Sequence, residues 1–360
     1  MASSNTTVIV TGGSGFLASY CIIALLNAGY QVRTTIRSLS KTTAVEQALK
    51  NGGLSDTDLN RLTFKEVNLD HDKGWDSAIA GCTYVLHVAS PIPTAEPKDA
   101  NDLIIPAREG TLRILRAAAT SGTVRRVVLT SSFNAISYGH PDQPNPFTEE
   151  CWSNSTAKLG AYPRSKLVAE RAAWEFVRSQ PVKGGLELTS INPTAMFGPV
   201  LSKEHVPSSI HVVQSYLSGE MPASLNLYMG VVDVRDVAAL QVVAMTHPAA
   251  KGERFIAVSP GGGWMHDIPL IIKKRFPEDV TKRVSTRVLP VWLTRLLGLF
   301  NPQIAIFVSE LGKRKIASSE KAARVLGWKP VRAREEVIVD TAQSLIDLGV
   351  YLKDRVSPHS

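Results

Sequence analysis

The chain has 360 residues, of which 44% are hydrophobic and 20% charged; it can bury a large core without disulfides, and disordered or collagen-like composition is excluded. Its three cysteines, Cys21, Cys82 and Cys151, are far apart and form no CxxC pair, which argues against a disulfide framework or structural zinc and for a reducing compartment. The net charge is +8, and 17 of the 40 Lys/Arg against 10 of the 32 Asp/Glu lie from Gly261 onward; scattered bases without a nucleic-acid motif read as a solvated face rather than as a surface for nucleic acid, an anionic membrane or an anionic small molecule.

The N-terminal stretch MASSNTTVIVTGG has neither a basic n-region nor a long apolar core, so no signal peptide is expected. No run reaches the ~18 apolar residues of a membrane span, and a cytoplasmic location is expected. Thr7–Val10 reads as a strand, and Phe16–Ala28 as a helix closed by Gly29. Between them lies Thr11-Gly12-Gly13-Ser14-Gly15-Phe16-Leu17-Ala18. A glycine-rich turn between a strand and a helix lets the backbone approach a pyrophosphate, which the helix N-terminus favours. Gln31–Ile36 is a second strand. At its end an NAD site wants an acid for the ribose 2′-hydroxyl. Here the run is Thr34-Thr35-Ile36-Arg37-Ser38, and Arg37 with Lys41 suits a 2′-phosphate, which points to NADP(H).

Tyr84–Val88 and Arg126–Thr130 are further strands, with helices at Asp102–Thr120 and Pro163–Ser179. Leu188–Asn192 is another strand. This alternation predicts a Rossmann-type α/β domain, a parallel sheet with helices on both faces. It spans residues 1–195, with a return segment at about 228–258 that holds a helix at Arg235–Met245 and a strand at Phe255–Val258. Residues 196–227 and 259–360 are expected to form a smaller, mostly helical substrate lobe. The apolar run Leu289–Phe300 is expected to be buried within that lobe, with a pocket lining or an oligomer contact as alternatives.

Tyr162-Pro163-Arg164-Ser165-Lys166 is a YxxxK pair whose spacing puts both side chains on one helical face. A tyrosine near a lysine ammonium and an oxidised nicotinamide is tuned toward the phenolate, which suits proton exchange with a carbonyl or alcohol. Pro163 disfavours a helical Tyr162, so Tyr162 is expected to be the cap and Pro163 the first helical residue. Thr130-Ser131-Ser132 closes a strand where open α/β sheets bind ligands. Side-chain alternation leaves both Ser131 and Ser132 open as the residue that polarises the substrate oxygen.

Together the motifs VTGGSGFLA, VRTTIR, VLHVASP, RVVLTSS, YPRSK, INPTAMFGP and SSEKAARVLGWKP resemble the extended short-chain dehydrogenases/reductases, closest to the dihydroflavonol-4-reductase-like branch, over nearly the whole chain. The resemblance implies Ser132 as catalytic serine, Tyr162 as acid-base and Lys166 as the lysine that holds the ribose. It implies cofactor contacts from Thr11, Gly12, Gly13, Ser14, Gly15, Phe16 and Leu17, from Arg37 and Lys41, and from Val88, Ala89, Ser90 and Thr130. Pro193, Thr194, Met196 and Ser209 are implied on the nicotinamide side. The family's Asp-Leu pair at the adenine falls on Asn68-Leu69, where the Asn68 amide oxygen is left to accept from the adenine amine. Phe133, Tyr138 and Phe197 are expected to touch substrate.

The expected reaction is NADPH-dependent reduction of an aldehyde or ketone. Nucleotide-sugar epimerases of the same superfamily carry an RxxNxYGP-like stretch, whereas this chain has Thr189-Ser190-Ile191-Asn192-Pro193 with no arginine. A non-catalytic NADP sensor would be expected to lose the tyrosine or the lysine, and both are present. The eight histidines form no HxH, HxxH or HExxH pattern, so no metal is expected. The expected partner is a small carbonyl or alcohol, with no nucleic acid, in a monomer or homodimer.

Overall fold

The computed structural model describes residues 6–91, 97–157, 159–180, 185–204, 206–305 and 307–351; both outer ends of the expected domains lie outside these. The strands are β1 Thr7–Val10, β2 Gln31–Ile36, β3 Leu62–Glu66, β4 Tyr84–His87, β5 Arg126–Thr130, β6 Glu187–Pro193, β7 Ala195–Phe197, β8 Tyr228–Met229, β9 Val231–Asp233, β10 Arg254–Ala257 and β11 Gly263–Trp264. Seven of them form one sheet in the order β10-β6-β5-β4-β1-β2-β3, with every neighbouring pair parallel. The order reverses between β1 and β4, so the crevice for a ligand opens at the C-terminal ends of those two strands.

A parallel sheet is covered on both faces, so its central strands are near-continuous apolar runs. Alternate residues go to opposite sides. Val8 and Val10 join the core under the helices Phe16–Asn27 and Val234–Thr246. Ile9 joins the core under Asn101–Ser121 and Ala161–Ser179. Arg126 is 1% exposed. It pairs with Glu187 at 2.6 Å and donates to the carbonyls of Ala244, Met245 and His247, closing the C-terminus of the Val234–Thr246 helix.

The second lobe packs the helices His211–Ser218, Asp267–Arg275 and Arg334–Asp347 around Ile210, Tyr216, Ile268 and Val337. Within the return segment, β10 joins the large sheet beside β6, whereas β9 pairs with β7. No described helix is long and apolar enough to cross a membrane.

The structure departs from sequence expectation in three elements. Edge strand β3, LTFKE, carries one buried residue and too little apolar alternation to be read. The helix bearing Tyr162 starts at Ala161 with Gly160 as its cap. Tyr162 is therefore helical and Pro163 is the third helical residue, where its missing N–H is one of the unpaired four in any case. The run Leu289–Phe300 is not buried within the lobe: Trp292 is 68% and Phe300 82% exposed.

Candidate active site

The turn after β1 is fixed by its own backbone and by β2. Gly12 has φ +72°, and a Cβ there would lie 2.9 Å from the Ala89 Cβ, so only glycine fits. The Gly12 N–H donates to Thr35 Oγ1 at 2.9 Å and the Gly13 N–H to the Thr35 carbonyl at 2.7 Å. The helix Phe16–Asn27 then starts at Gly15 with no side-chain cap, so its first-turn donors are available to an anion. Thr11 is fully buried and acts through its neighbours. Its hydroxyl accepts from the N–H groups of Val88 and Ala89 at 3.1 and 3.0 Å and meets His87 Nδ1 at 2.9 Å. A hydroxyl that accepts twice has its one proton left for the imidazole. Burial pushes the His87 pKa down to about 3, so the ring is neutral.

Arg37 and Lys41 are exposed just past β2, with no hydrogen bond or ion pair from either side chain to another described residue. Asn68 lies two residues past β3. Its amide oxygen accepts from the Asp70 N–H at 3.2 Å in an Asx turn, and its carbonyl accepts from Trp75 Nε1 at 3.0 Å. Leu69 packs on Gly110.

The reactive groups meet at the ends of β5 and of the loop after β4. Tyr162, Lys166 and Glu170 follow one another at four-residue spacing on the Ala161–Ser179 helix. Lys166 Nζ donates to Ser90 Oγ at 2.9 Å and lies 5.6 Å from the centre of the Tyr162 ring. Ser132 hydrogen-bonds the Tyr162 phenol. Ser131 turns the other way and donates to Glu170 Oε2 at 2.6 Å. The two serines left open by the sequence thus occupy different environments.

Burial pushes the Tyr162 phenol up to about 12, against the hydrogen bond from Ser132. Burial also lowers Lys166 to about 8, opposed by Glu170. In both, desolvation penalises the charged form. Tyr162 therefore holds its proton at neutral pH.

Glu170 is fully buried and was not anticipated. It accepts from Ser131, from Ser190 at 2.8 Å, from Asn192 at 2.8 Å and from Arg254 at 2.7 Å. Burial alone would raise its pKa, but Arg254 and these hydrogen bonds outweigh it and hold it below the ordinary value. Asn192 also donates to the Ser132 carbonyl at 3.1 Å, tying this network to the serine. The position of Glu170, eight residues after Tyr162 on the same helical face, was the available signal.

At the end of β6 and beyond it, the Phe133 N–H donates to the Pro193 carbonyl at 2.9 Å and Ser209 Oγ to the Met196 carbonyl at 2.7 Å. Thr194 Oγ1 donates to the Ala257 carbonyl at 3.3 Å, and Thr130 Oγ1 accepts from Gln241 at 2.7 Å. Tyr138 is partly buried, and its phenol is pushed up to about 12 by burial and then by Tyr162. Phe133 packs edge-on against Phe147 at 6.0 Å. Phe197 is 0% exposed and belongs to the lobe core. A cavity of about 300 Å³ lies beside Val258 and Ala317, which pack with Phe133. None of Ser132, Tyr162 and Lys166 lines it.

Known proteins resemble this chain in sequence and fold. The family described as the NAD dependent epimerase/dehydratase family matches residues 8–257. Dihydroflavonol 4-reductase of Hordeum vulgare is 33% identical over 293 residues, 79% of each chain. Cinnamoyl-CoA reductase 1 of Petunia hybrida is 35% identical over 295 residues, 78% of this chain and 82% of the relative. The crystal structure of yeast methylglyoxal/isovaleraldehyde reductase Gre2 complexed with NADPH superposes with a TM-score of 0.77 at 29% identity, covering 96% of this chain and 100% of that one. The residues present here fit NADP(H): an uncapped helix start, a glycine against which a Cβ would clash, and two exposed cations just past β2 with no side-chain partner among the described residues. The chain belongs to the NAD dependent epimerase/dehydratase family, as an NADP(H)-dependent oxidoreductase of its extended short-chain, dihydroflavonol-4-reductase-like branch.

Proposed function

We propose that the protein reduces an aldehyde or ketone to the alcohol with NADPH, with Tyr162 as the proton donor. The observation that carries this reading is the cluster at the sheet's C-terminal edge: a Tyr162 phenol hydrogen-bonded by Ser132, with Lys166 Nζ 5.6 Å from its ring. Bound NADPH supplies the hydride that adds to the carbonyl carbon. Ser132 hydrogen-bonds the carbonyl oxygen. Tyr162 gives that oxygen its proton: the phenol O–H breaks, the alcohol O–H forms, and water reprotonates the phenolate. The Lys166 ammonium stabilises the phenolate and holds the ribose hydroxyls. A phenol at about 12 is stocked with the proton that reduction consumes.

On the cofactor, Arg37 and Lys41 hold the 2′-phosphate, and the first turn of the Phe16–Asn27 helix holds the pyrophosphate. Phe133 and Tyr138 border the substrate. The test is a panel of aldehydes and ketones with NADPH and with NADH, followed by loss of the reduced nicotinamide's absorbance. Turnover with NADPH in clear preference to NADH is expected. Purified protein that holds NAD tightly and turns over no carbonyl would return the reading to the epimerase.

A further inference from the structure

We propose that the segment from Val288 to Phe300 is a membrane-surface anchor that seats this protein on an anionic lipid leaflet. Of the ten exposed large hydrophobic residues among those described, six fall here: Val288, Trp292, Leu296, Leu297, Leu299 and Phe300. Trp292 is 68%, Leu299 76% and Phe300 82% exposed. Such a concentration on a monomer's surface marks an interaction site.

The backbone makes this segment a protrusion. The Ser224 N–H donates to the Arg287 carbonyl at 2.8 Å and the Leu289 N–H to the Ser224 carbonyl at 2.9 Å. The Gly312 N–H donates to the Asn226 carbonyl at 2.9 Å. Both ends of the excursion are thus pinned to one short stretch, and the helix Val291–Leu297 is carried outward between them.

Charge identifies the occupant. Residues 282–315 contain seven Lys/Arg and a single acid, Glu310, and that acid is buried against Lys315. Arg287, Lys313 and Arg314 flank the pinned base, and the exposed Arg295 lies among the apolar side chains. Aromatic and leucine side chains projecting from a cationic base combine apolar insertion with attraction to anionic headgroups. A second copy of the chain brings the same cations to the contact and is repelled, which disfavours a homodimer through this face.

The experiment is co-sedimentation of the full chain with vesicles of phosphatidylcholine alone or mixed with phosphatidylserine. The wild type is expected to pellet with the phosphatidylserine vesicles, and less so as salt rises. Trp292→Ser with Phe300→Ser, and separately Arg287→Glu with Arg314→Glu, should each weaken that binding by about tenfold or more. Carbonyl reduction and far-ultraviolet circular dichroism should stay at wild-type values in both, which distinguishes this proposal from the reaction itself. Wild type that stays in the supernatant overturns the proposal, as does a Trp292→Ser/Phe300→Ser protein that pellets normally. A wild-type dimer in light scattering that those two substitutions split assigns the face to a second copy instead and also overturns it.

Discussion

Tyr162 and Lys166 are both ionisable groups whose charged forms are disfavoured by burial, and their pH behaviour follows from that. Lys166 titrates near 8 in the folded chain and near 10.5 in the ordinary case. Below about 8 it is an ammonium that can hold ribose hydroxyls. As pH rises through about 8 that charge is lost, so NADPH affinity should weaken above pH 8, as read by fluorescence titration. The unfolded chain keeps this proton up to about 10.5, so burial of Lys166 costs stability at neutral pH, and the cost fades between about 8 and 10.5. Flat NADPH affinity from pH 7 to 10 would remove Lys166 from the ribose. Arg37→Asp should lower kcat/KM with NADPH by about 2–3 kcal/mol, the range of a charge-assisted hydrogen bond, and with NADH far less. Equal losses would place Arg37 outside the cofactor site. Tyr162 and Lys166 were legible because their spacing is itself the signal. Ser131 and Ser132 were not separable, because a strand end one residue longer or shorter exchanges their faces. Only the partners, Glu170 for one and Tyr162 for the other, distinguish them.

Beside its apolar packing, the helix Ala161–Ser179 is tied to the sheet by a buried carboxylate. Glu170 accepts from β5's neighbour Ser131, from Ser190 and Asn192 on β6, and from Arg254 on β10. Glu170→Gln leaves the Arg254 guanidinium buried without its counter-charge. Breaking such a pair should cost about 3–5 kcal/mol, read as a lower urea midpoint with unchanged slope. A loss below about 1 kcal/mol would show that the network contributes little to holding the helix. At the turn after β1, Gly12→Ala should abolish tight NADPH binding while leaving the sheet folded, since its φ of +72° and the Ala89 contact are local. The central strands and long helices were legible from their apolar periods. Edge strand β3 was hidden by its polar composition, and the start of the Tyr162 helix by Pro163, whose usual place is one residue into a helix rather than three. Phe197 looked like a pocket residue in sequence. Its burial follows from the pairing of β7 with β9, a long-range contact that no local pattern encodes.

At the scale of the whole molecule, the large sheet ends in the glycine-rich turn after β1 and the loop after β4, and a second core gathers around Ile210, Tyr216 and Val337. The basic C-terminal third was read as a solvated face; its distribution around an exposed apolar excursion emerges only once residues 224–226 pin both ends of that excursion. NADPH binds the folded chain and should raise Tm, by an amount equivalent to about 2.7 kcal/mol at a hundredfold excess over Kd. NADH at the same concentration should raise it less, and Arg37→Asp should erase the difference. The most direct test of the account is kcat for Tyr162→Phe on a good carbonyl substrate at saturating NADPH, beside its NADPH affinity. The substitution removes one hydroxyl and keeps the ring. The account predicts a fall of about 10²–10⁴-fold in kcat, the usual worth of a positioned acid, with NADPH affinity near wild type. A kcat near the wild-type value would contradict it.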